Sequence, residues 1–237
     1  MTQSKALKII DTNTYAVLQP GNDALTILED TLAPGEQLDV FSLPCIKAPA
    51  GGGGTWELPN GESAKEIQAI VLHRQVVRAY WGASFEESGG GSPPDCSSMD
   101  AIIGEGDPGG VCRFCPNNAW GSGKDNGKAC RQITRLFLLF PDSILPVLLS
   151  LPPSSFKAAQ QYVLNGAAFG LRYNEQVAGI GLIKAQSDGG IAYSQAIFRN
   201  LGPVDPAALP ALRAYREQIV PTLVGAPIIV DEAEQNA

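Results

Sequence analysis

The chain has 237 residues, with 17 Lys and Arg against 24 Asp and Glu for a formal net charge of -7, 44% hydrophobic residues, five cysteines and one histidine. That suffices for one or two domains with a hydrophobic core, and 26 Gly with 18 Pro make it loop-rich without the composition of a disordered or collagenous chain. The single His73 excludes an HExxH helix and any two-histidine metal site, and the acidic balance argues against indiscriminate electrostatic binding of phosphates.

The opening Met1-Thr-Gln-Ser-Lys has no basic cap followed by an apolar stretch, so a reducing cytoplasm is expected. A capping Asn22 with Leu25, Leu28 and Leu32 at helical spacing predicts a helix over 22–32, ended by Pro34-Gly35. Residues 38–44 alternate as a strand, and Ala50-Gly-Gly-Gly-Gly-Thr-Trp56 reads as a flexible loop closed by an aromatic ring. Residues 67–81, rich in Ile, Val and aromatics with Arg74 and Arg78 interleaved, suit a long strand. Ser88-Gly-Gly-Gly-Ser-Pro-Pro94 then breaks the chain.

Residues 95–130 hold four of the five cysteines and few apolar side chains, so they need something other than a hydrophobic core to order them. Cys96, Cys112, Cys115 and Cys130 are spaced C-x15-C-x2-C-x14-C, and the central Cys-x-x-Cys is a turn in which two thiolates can point at one ion. Four thiolates on tetrahedral Zn2+ leave no open position, which implies a structural site. A redox Cys-x-x-Cys, unligated or disulfide-bonded cysteines, and an iron–sulfur cluster are the alternatives. Cys45, in Ser-Leu-Pro-Cys-Ile, reads as a buried small hydrophobe rather than a fifth ligand.

Residues 132–140 form the next predicted strand, and the apolar run 136–151 is too short and too interrupted by Pro141, Asp142 and Pro146 to span a membrane. Ser154 or Ser155 caps a helix with Phe156, Ala159, Tyr162 and Val163 on one side, ending at Gly166. Residues 171–186 and 191–198 make a hairpin around Ser187-Asp-Gly-Gly190, and Asp205-Pro206 opens a last helix with Leu209, Leu212, Ile219 and Val220 inward. The order is compatible with an α+β fold: an OB-like five-stranded barrel over 36–200, a cysteine-rich zinc insertion at 88–131, an N-terminal helical extension at 1–35, and a C-terminal helix with a short acidic tail at 201–237. A different small α+β sheet is the alternative.

Between residues 112 and 135, Arg113, Lys124, Lys128, Arg131 and Arg135 stand against Asp125 alone, a local net charge of +4 in a chain of -7. This charge either offsets a zinc–tetrathiolate or forms a phosphate-contacting patch around Gly121-Ser-Gly-Lys-Asp-Asn-Gly-Lys128, which lacks the Walker spacing. Aromatic rings lie beside bases at Arg78-Ala-Tyr-Trp81, at Arg172-Tyr173, at Trp120 near Lys124, and at Trp56 after the glycines, the combination that single-strand binders use. Tyr80 and Trp81 cannot both face one side of a strand. The acidic residues Asp231, Glu232 and Glu234 are either a solvated end or a partner-recruiting tip.

Ser92-Pro-Pro-Asp-Cys-Ser-Ser-Met-Asp100, Gly109-Gly-Val-Cys-Arg-Phe-Cys-Pro-Asn-Asn-Ala-Trp-Gly-Ser122, Gly127-Lys-Ala-Cys-Arg131 and Leu148-Leu-Ser-Leu-Pro-Pro-Ser-Ser155 resemble a family of uncharacterised zinc-containing proteins of bacteriophages and mobile elements, over about residues 41–198. The resemblance carries the four-cysteine metal assignment. With the OB-like order it implies single-stranded DNA binding in phage replication or recombination, in the bacterial cytoplasm and without enzymatic activity. In that reading Lys124, Lys128, Arg131 and Arg135 contact phosphates, and Trp56, Tyr80 or Trp81, and Trp120 stack on bases, with Arg78, Arg172 and Tyr173 as further contacts. Replication or recombination proteins at the acidic C-terminus and a second copy of the chain are the expected partners. The competing reading is a protein-interaction adaptor or host-protein inhibitor. A third, Mg2+-dependent DNA cleavage, rests on Asp95, Asp100, Glu105 and Asp107.

Overall fold

The computed structural model describes residues 11, 13–19, 26–27, 30, 43–83, 93–141, 143–186, 190, 192–225 and 228. Most of the expected 22–32 helix and 38–44 strand, most of the 187–190 turn, and the acidic tail lie outside them. Among the described residues the strands are β1 (Cys45–Ile46), β2 (Trp56–Glu57), β3 (Ser63–Ala64), β4 (Glu66–Tyr80), β5 (Cys96–Ser98), β6 (Ile103–Gly106), β7 (Gly110–Val111), β8 (Arg131–Leu139), β9 (Val147–Leu151), β10 (Gln176–Gln186) and β11 (Ala192–Pro203), with helices α1 (Pro153–Ala168) and α2 (Leu209–Val224).

β4 organises the molecule. Its 15 residues pair antiparallel with β8 along most of their length, while its other edge is shared: the first part pairs with β10 and the last residues with β5. The resulting sheet runs β1-β9-β8-β4-β5-β6-β7, with β10 and β11 beside the first part of β4. This mixed α+β sheet is not closed into a barrel, which corrects the OB-like expectation. The reason is visible in the packing, because both faces of the sheet are covered by helices.

Alternation along the strands divides the core in two. Ile70, Leu72, Phe137, Leu139 and Val177 pack against Leu212, Tyr215, Ile219 and Leu223 of α2. Ile67, Ala69, Val71, Leu136, Leu138 and Ile180 pack against Ala159 and Tyr162 of α1. β9, which lies beyond the predicted 132–140 strand and past the interruptions at Pro141, Asp142 and Pro146, pairs parallel with β1 on one side and antiparallel with β8 on the other. No helix of the described residues is long and apolar enough to cross a membrane.

Two local expectations are corrected here. Ser155 lies inside α1 rather than capping it, and its hydroxyl accepts from the Ala196 backbone N–H at 2.9 Å, tying the helix to β11. Cys45 is exposed rather than buried, because the two-residue edge strand β1 turns Ile46 inward and Cys45 outward.

A β-bulge between Val71 and His73 reverses the alternation of β4. Before it, even-numbered residues face α2; beyond it, His73, Gln75, Val77 and Ala79 lie on that side and Arg74, Val76, Arg78 and Tyr80 turn to the other. His73 lies 6.2 Å from the Phe137 ring between centroids, and burial, with the Arg216 charge from α2 adding to it, lowers its pKa. Gln75 donates to the carbonyls of Met99 at 2.8 Å and Val224 at 3.0 Å, fastening the start of the cysteine segment to the end of α2.

Candidate metal centre

The bulge matters because it aims the end of β4 at the cysteines. In the registered pairs, Tyr80 stands opposite Cys96 of β5, and Arg78 stands between Ser98 of β5 and Gln132 of β8. Ala79 pairs with Arg131, so Cys130, one residue earlier, is level with Tyr80. Two cysteines distant in sequence thus flank one strand position on one face of the sheet.

The central pair arrives from the other side of the insertion. Cys112 begins a 3-10 turn over Cys112–Phe114, closed by the Cys115 backbone N–H donating to the Cys112 carbonyl at 3.3 Å. The Cys112 N–H donates to the Ile102 carbonyl at 2.9 Å, which seats the turn on the β6–β7 hairpin, and the Cys130 N–H donates to Asn117 at 2.7 Å. Cys96, Cys112, Cys115 and Cys130 accordingly line one cavity with Arg78, Tyr80, Gly104 and Asn117. None of the five cysteines is disulfide-bonded, and Cys96, Cys112 and Cys130 are buried.

Among the described residues, no set of three His, Cys, Asp or Glu side chains is already arranged as a metal site. The donor chemistry nevertheless fits a thiophilic ion. Four thiols and no competing carboxylate line the cavity, and His73 sits elsewhere under α2. Gly104 keeps the space open: a Cβ there would lie 3.0 Å from Cys96 Sγ and 3.7 Å from Cys112 Sγ. Gly106, at φ 106°, admits no side chain either, since a Cβ would fall 2.1 Å from the Asp95 carbonyl oxygen.

Burial pushes the Cys130 thiol up; the Arg78 charge opposes that, and Cys112, Cys115 and Cys96 reinforce it. A metal ion would reverse the balance by binding thiolates and releasing their protons. Arg78 is itself held in place, with Nη1 donating to Asn118 Oδ1 at 2.7 Å and Nη2 to Gln132 Oε1 at 2.8 Å. Its buried Nε–H has no acceptor among the described residues.

The carboxylates proposed for Mg2+ chemistry do not line this cavity. Asp95 Oδ2 accepts from the Gly82 N–H at 2.6 Å. Asp100 Oδ1 accepts from Ile102 N–H at 2.7 Å, Ile103 N–H at 3.0 Å and Ser98 Oγ at 2.9 Å, and these bonds, the Ile102 bond foremost, lower its pKa. Both serve turns of the insertion.

The outer surface of the insertion carries the exposed rings. Trp120 is 77% exposed with Lys128 Nζ 5.3 Å from its centroid, and Phe114 is 80% exposed with the Arg113 guanidinium at 5.8 Å. Lys128 also donates to Asn118 Oδ1 at 3.1 Å, the oxygen that Arg78 uses. The Gly121–Lys128 stretch is closed by Gly121 and Gly123 N–H groups donating to the Gly127 carbonyl, and it leaves Lys124 exposed.

Of the residues expected to bind nucleic acid, Arg78, Tyr80, Trp120, Lys124 and Lys128 come together in and around the insertion. Others do not. Trp56 is 0% exposed, its indole N–H donating to the Ile180 carbonyl at 2.9 Å beneath α1, so neither of its faces is available to a base. Arg135 is 2% exposed on the α2 side of β8, with its guanidinium 5.4 Å from the Phe137 ring, which removes it from any phosphate. Arg131, opposite Ala79, shares that face, and Trp81 packs by Val77, Ala79 and Ile133. Arg172 and Tyr173 precede β10, with Tyr173 near Arg74 of β4, roughly 20 Å along that strand from Tyr80, and Arg172 pairs with Glu175 at 3.3 Å.

Phe114 and Asn118 were missed in the sequence. The signal for Phe114 was present, since the two residues between ligands of a tight Cys-x-x-Cys turn must point away from the sulfurs. Compared with protein-family models, with curated proteins and with solved structures, the chain has no significant match in any of the three.

Proposed function

We propose that the chain is a sequence-tolerant single-stranded DNA-binding protein of a phage or mobile element, acting in replication or recombination, with Cys96, Cys112, Cys115 and Cys130 holding a structural Zn2+. The metal's contribution is to cross-link an insertion that has almost no core; with four thiolate ligands it leaves no position for a substrate. The observation that carries the reading is the pairing of each exposed ring of the insertion with a cation, Trp120 with Lys128 and Phe114 with Arg113. Bases stack on such rings while the cations and Lys124 meet phosphates.

Poly-dT should quench Trp120 fluorescence at low salt. With about three phosphate contacts, the logarithm of the binding constant should fall with the logarithm of salt concentration at a slope of about -2. Trp120→Ala should weaken binding by about 1–3 kcal/mol, roughly 5- to 150-fold. An absence of any mobility shift at low salt would sink the proposal.

One observation favours the protein-docking alternative: Ile102, with Ile103 and Val111 of the β6–β7 hairpin, is exposed as Phe114 is. In that reading the purified protein retains a host protein after nuclease treatment and binds no oligonucleotide.

A further inference from the structure

Among the described residues, one cation lines the cysteine cavity, and its hydrogen-bonding capacity is incompletely used. Arg78 lines it together with all four thiols, and two of its nitrogens are fixed on Asn118 and Gln132 outside the sulfur set. The third, Nε, is buried with no acceptor among the described residues. Strand register gives the reason for the placement. Arg78 sits one pleat before Tyr80, whose neighbours on the two sides are Cys96 and Cys130, so both cysteines are diagonal neighbours of Arg78 on one face of the sheet. Diagonal neighbours in a sheet lie about 7–8 Å apart at Cα, within reach of a long side chain.

An ion held by four thiolates leaves a net charge of about -2 in a largely buried cavity, which is costly unless hydrogen-bond donors and a countercharge face the sulfurs. The nitrogen left over on Arg78 supplies both. We propose that Arg78 is the positioning residue of the metal centre: its Nε–H donates to a cysteine sulfur of the loaded site, Cys96 or Cys130, while its Nη groups hold Asn118 and Gln132. This inference rests on the metal-centre reading above. It adds a consequence for the outer surface, because Asn118 Oδ1 also receives Lys128, the cation over Trp120. The sulfur cavity and the exposed ring are therefore joined by one chain of contacts, Arg78 to Asn118 to Lys128 to Trp120.

The test is Co2+ titration of the full chain against a competing chelator, following the sulfur-to-cobalt charge-transfer band. Arg78→Met keeps the unbranched stem as far as the Nε position and removes the donors and the charge. It should bind Co2+ about 10- to 100-fold more weakly than wild type, with a band of unchanged intensity per bound ion because the four ligands remain. Arg172→Met, which removes an exposed arginine that does not line the cavity, should stay close to wild type. Equal affinity in Arg78→Met and wild type would overturn the assignment of Arg78 alone. A wild-type protein with no charge-transfer band would overturn the metal centre itself, so the two failures are distinct. If Arg78→Met does not fold, wild-type protein loaded with 113Cd decides the matter: coupling between cadmium and an arginine Nε–H is the expected result, and cysteine couplings with no arginine partner would overturn the proposal.

Discussion

Cys112→Ser should release the metal and disorder the insertion while leaving the sheet between α1 and α2 folded. The expectation follows from what holds each part. The two large core clusters draw mainly on β4, β8, β9, β10, β11 and the two helices, together with Tyr15, Val17, Leu18, Leu43, Ile46 and Trp56, and no residue of 93–131 is in either. The insertion buries Cys96, Ser98, Gly104, Cys112 and Cys130 and turns Ile102, Ile103, Val111, Phe114 and Trp120 outward. Its short strands and 3-10 turns cannot offset the entropy of ordering it by apolar burial. Structural zinc sites in zinc-finger peptides contribute an apparent free energy of about 10–16 kcal/mol near neutral pH. Amide hydrogen exchange is the measurement. Protection over 96–130 should fall by orders of magnitude in Cys112→Ser, or in wild type after chelation, with little change in β8 and β10. An insertion that keeps its protection after chelation would contradict the account.

The second large effect lies in the core. Trp56→Ala should destabilise the protein by about 3–5 kcal/mol, the cost of emptying a buried aromatic site. Trp56 is fully enclosed with Ile67, Ala69, Ala178 and Ile180 at the α1 face, and its truncation also strips the Ile180 carbonyl of its indole donor. The shift in urea midpoint at constant m-value reads this directly. A change below about 1 kcal/mol would mean that the ring is not the core residue described here. If the folded variant also keeps its oligonucleotide quenching, the optical signal belongs to the exposed rings, as proposed.

Cys112 and Trp56 show which parts of the molecule were legible in the sequence. The cysteine spacing predicted a shared site, and all four cysteines line one cavity, because ligand chemistry depends on few residues and tolerates long loops between them. Long β4, β8, the β10–β11 hairpin and both helices follow from local periodicity. Trp56 was misread because four glycines before it suggest a loop, whereas Pro49 and Gly53 carbonyls receive Ser194 Oγ at 3.1 and 2.9 Å and dock that loop on β11. Nothing within the loop announces a partner 141 residues away. Arg135 was misread for another reason. A base in an apolar strand reads as surface charge unless its neighbours across the sheet are known, and those are Gln75 and Ser150. The open sheet, too, depends on the parallel pairing of β1 with β9 and on β4 sharing an edge between β10 and β5, both non-local choices.

The +4 charge of residues 112–135 resolves into parts with different surroundings. Arg135 is in the core and Arg131 is on the α2 side of the sheet, while Arg113, Lys124 and Lys128 are on the insertion. What the total charge obscured is therefore a smaller basic surface that carries its own aromatic rings. In the proposed reading it depends on a metal centre for its order.

X-ray absorption at the metal edge of the purified protein tests that dependence most directly. The account predicts one Zn2+ per chain with four sulfur ligands at about 2.3 Å; a protein without stoichiometric metal, or a metal bound mainly through nitrogen and oxygen, would contradict it.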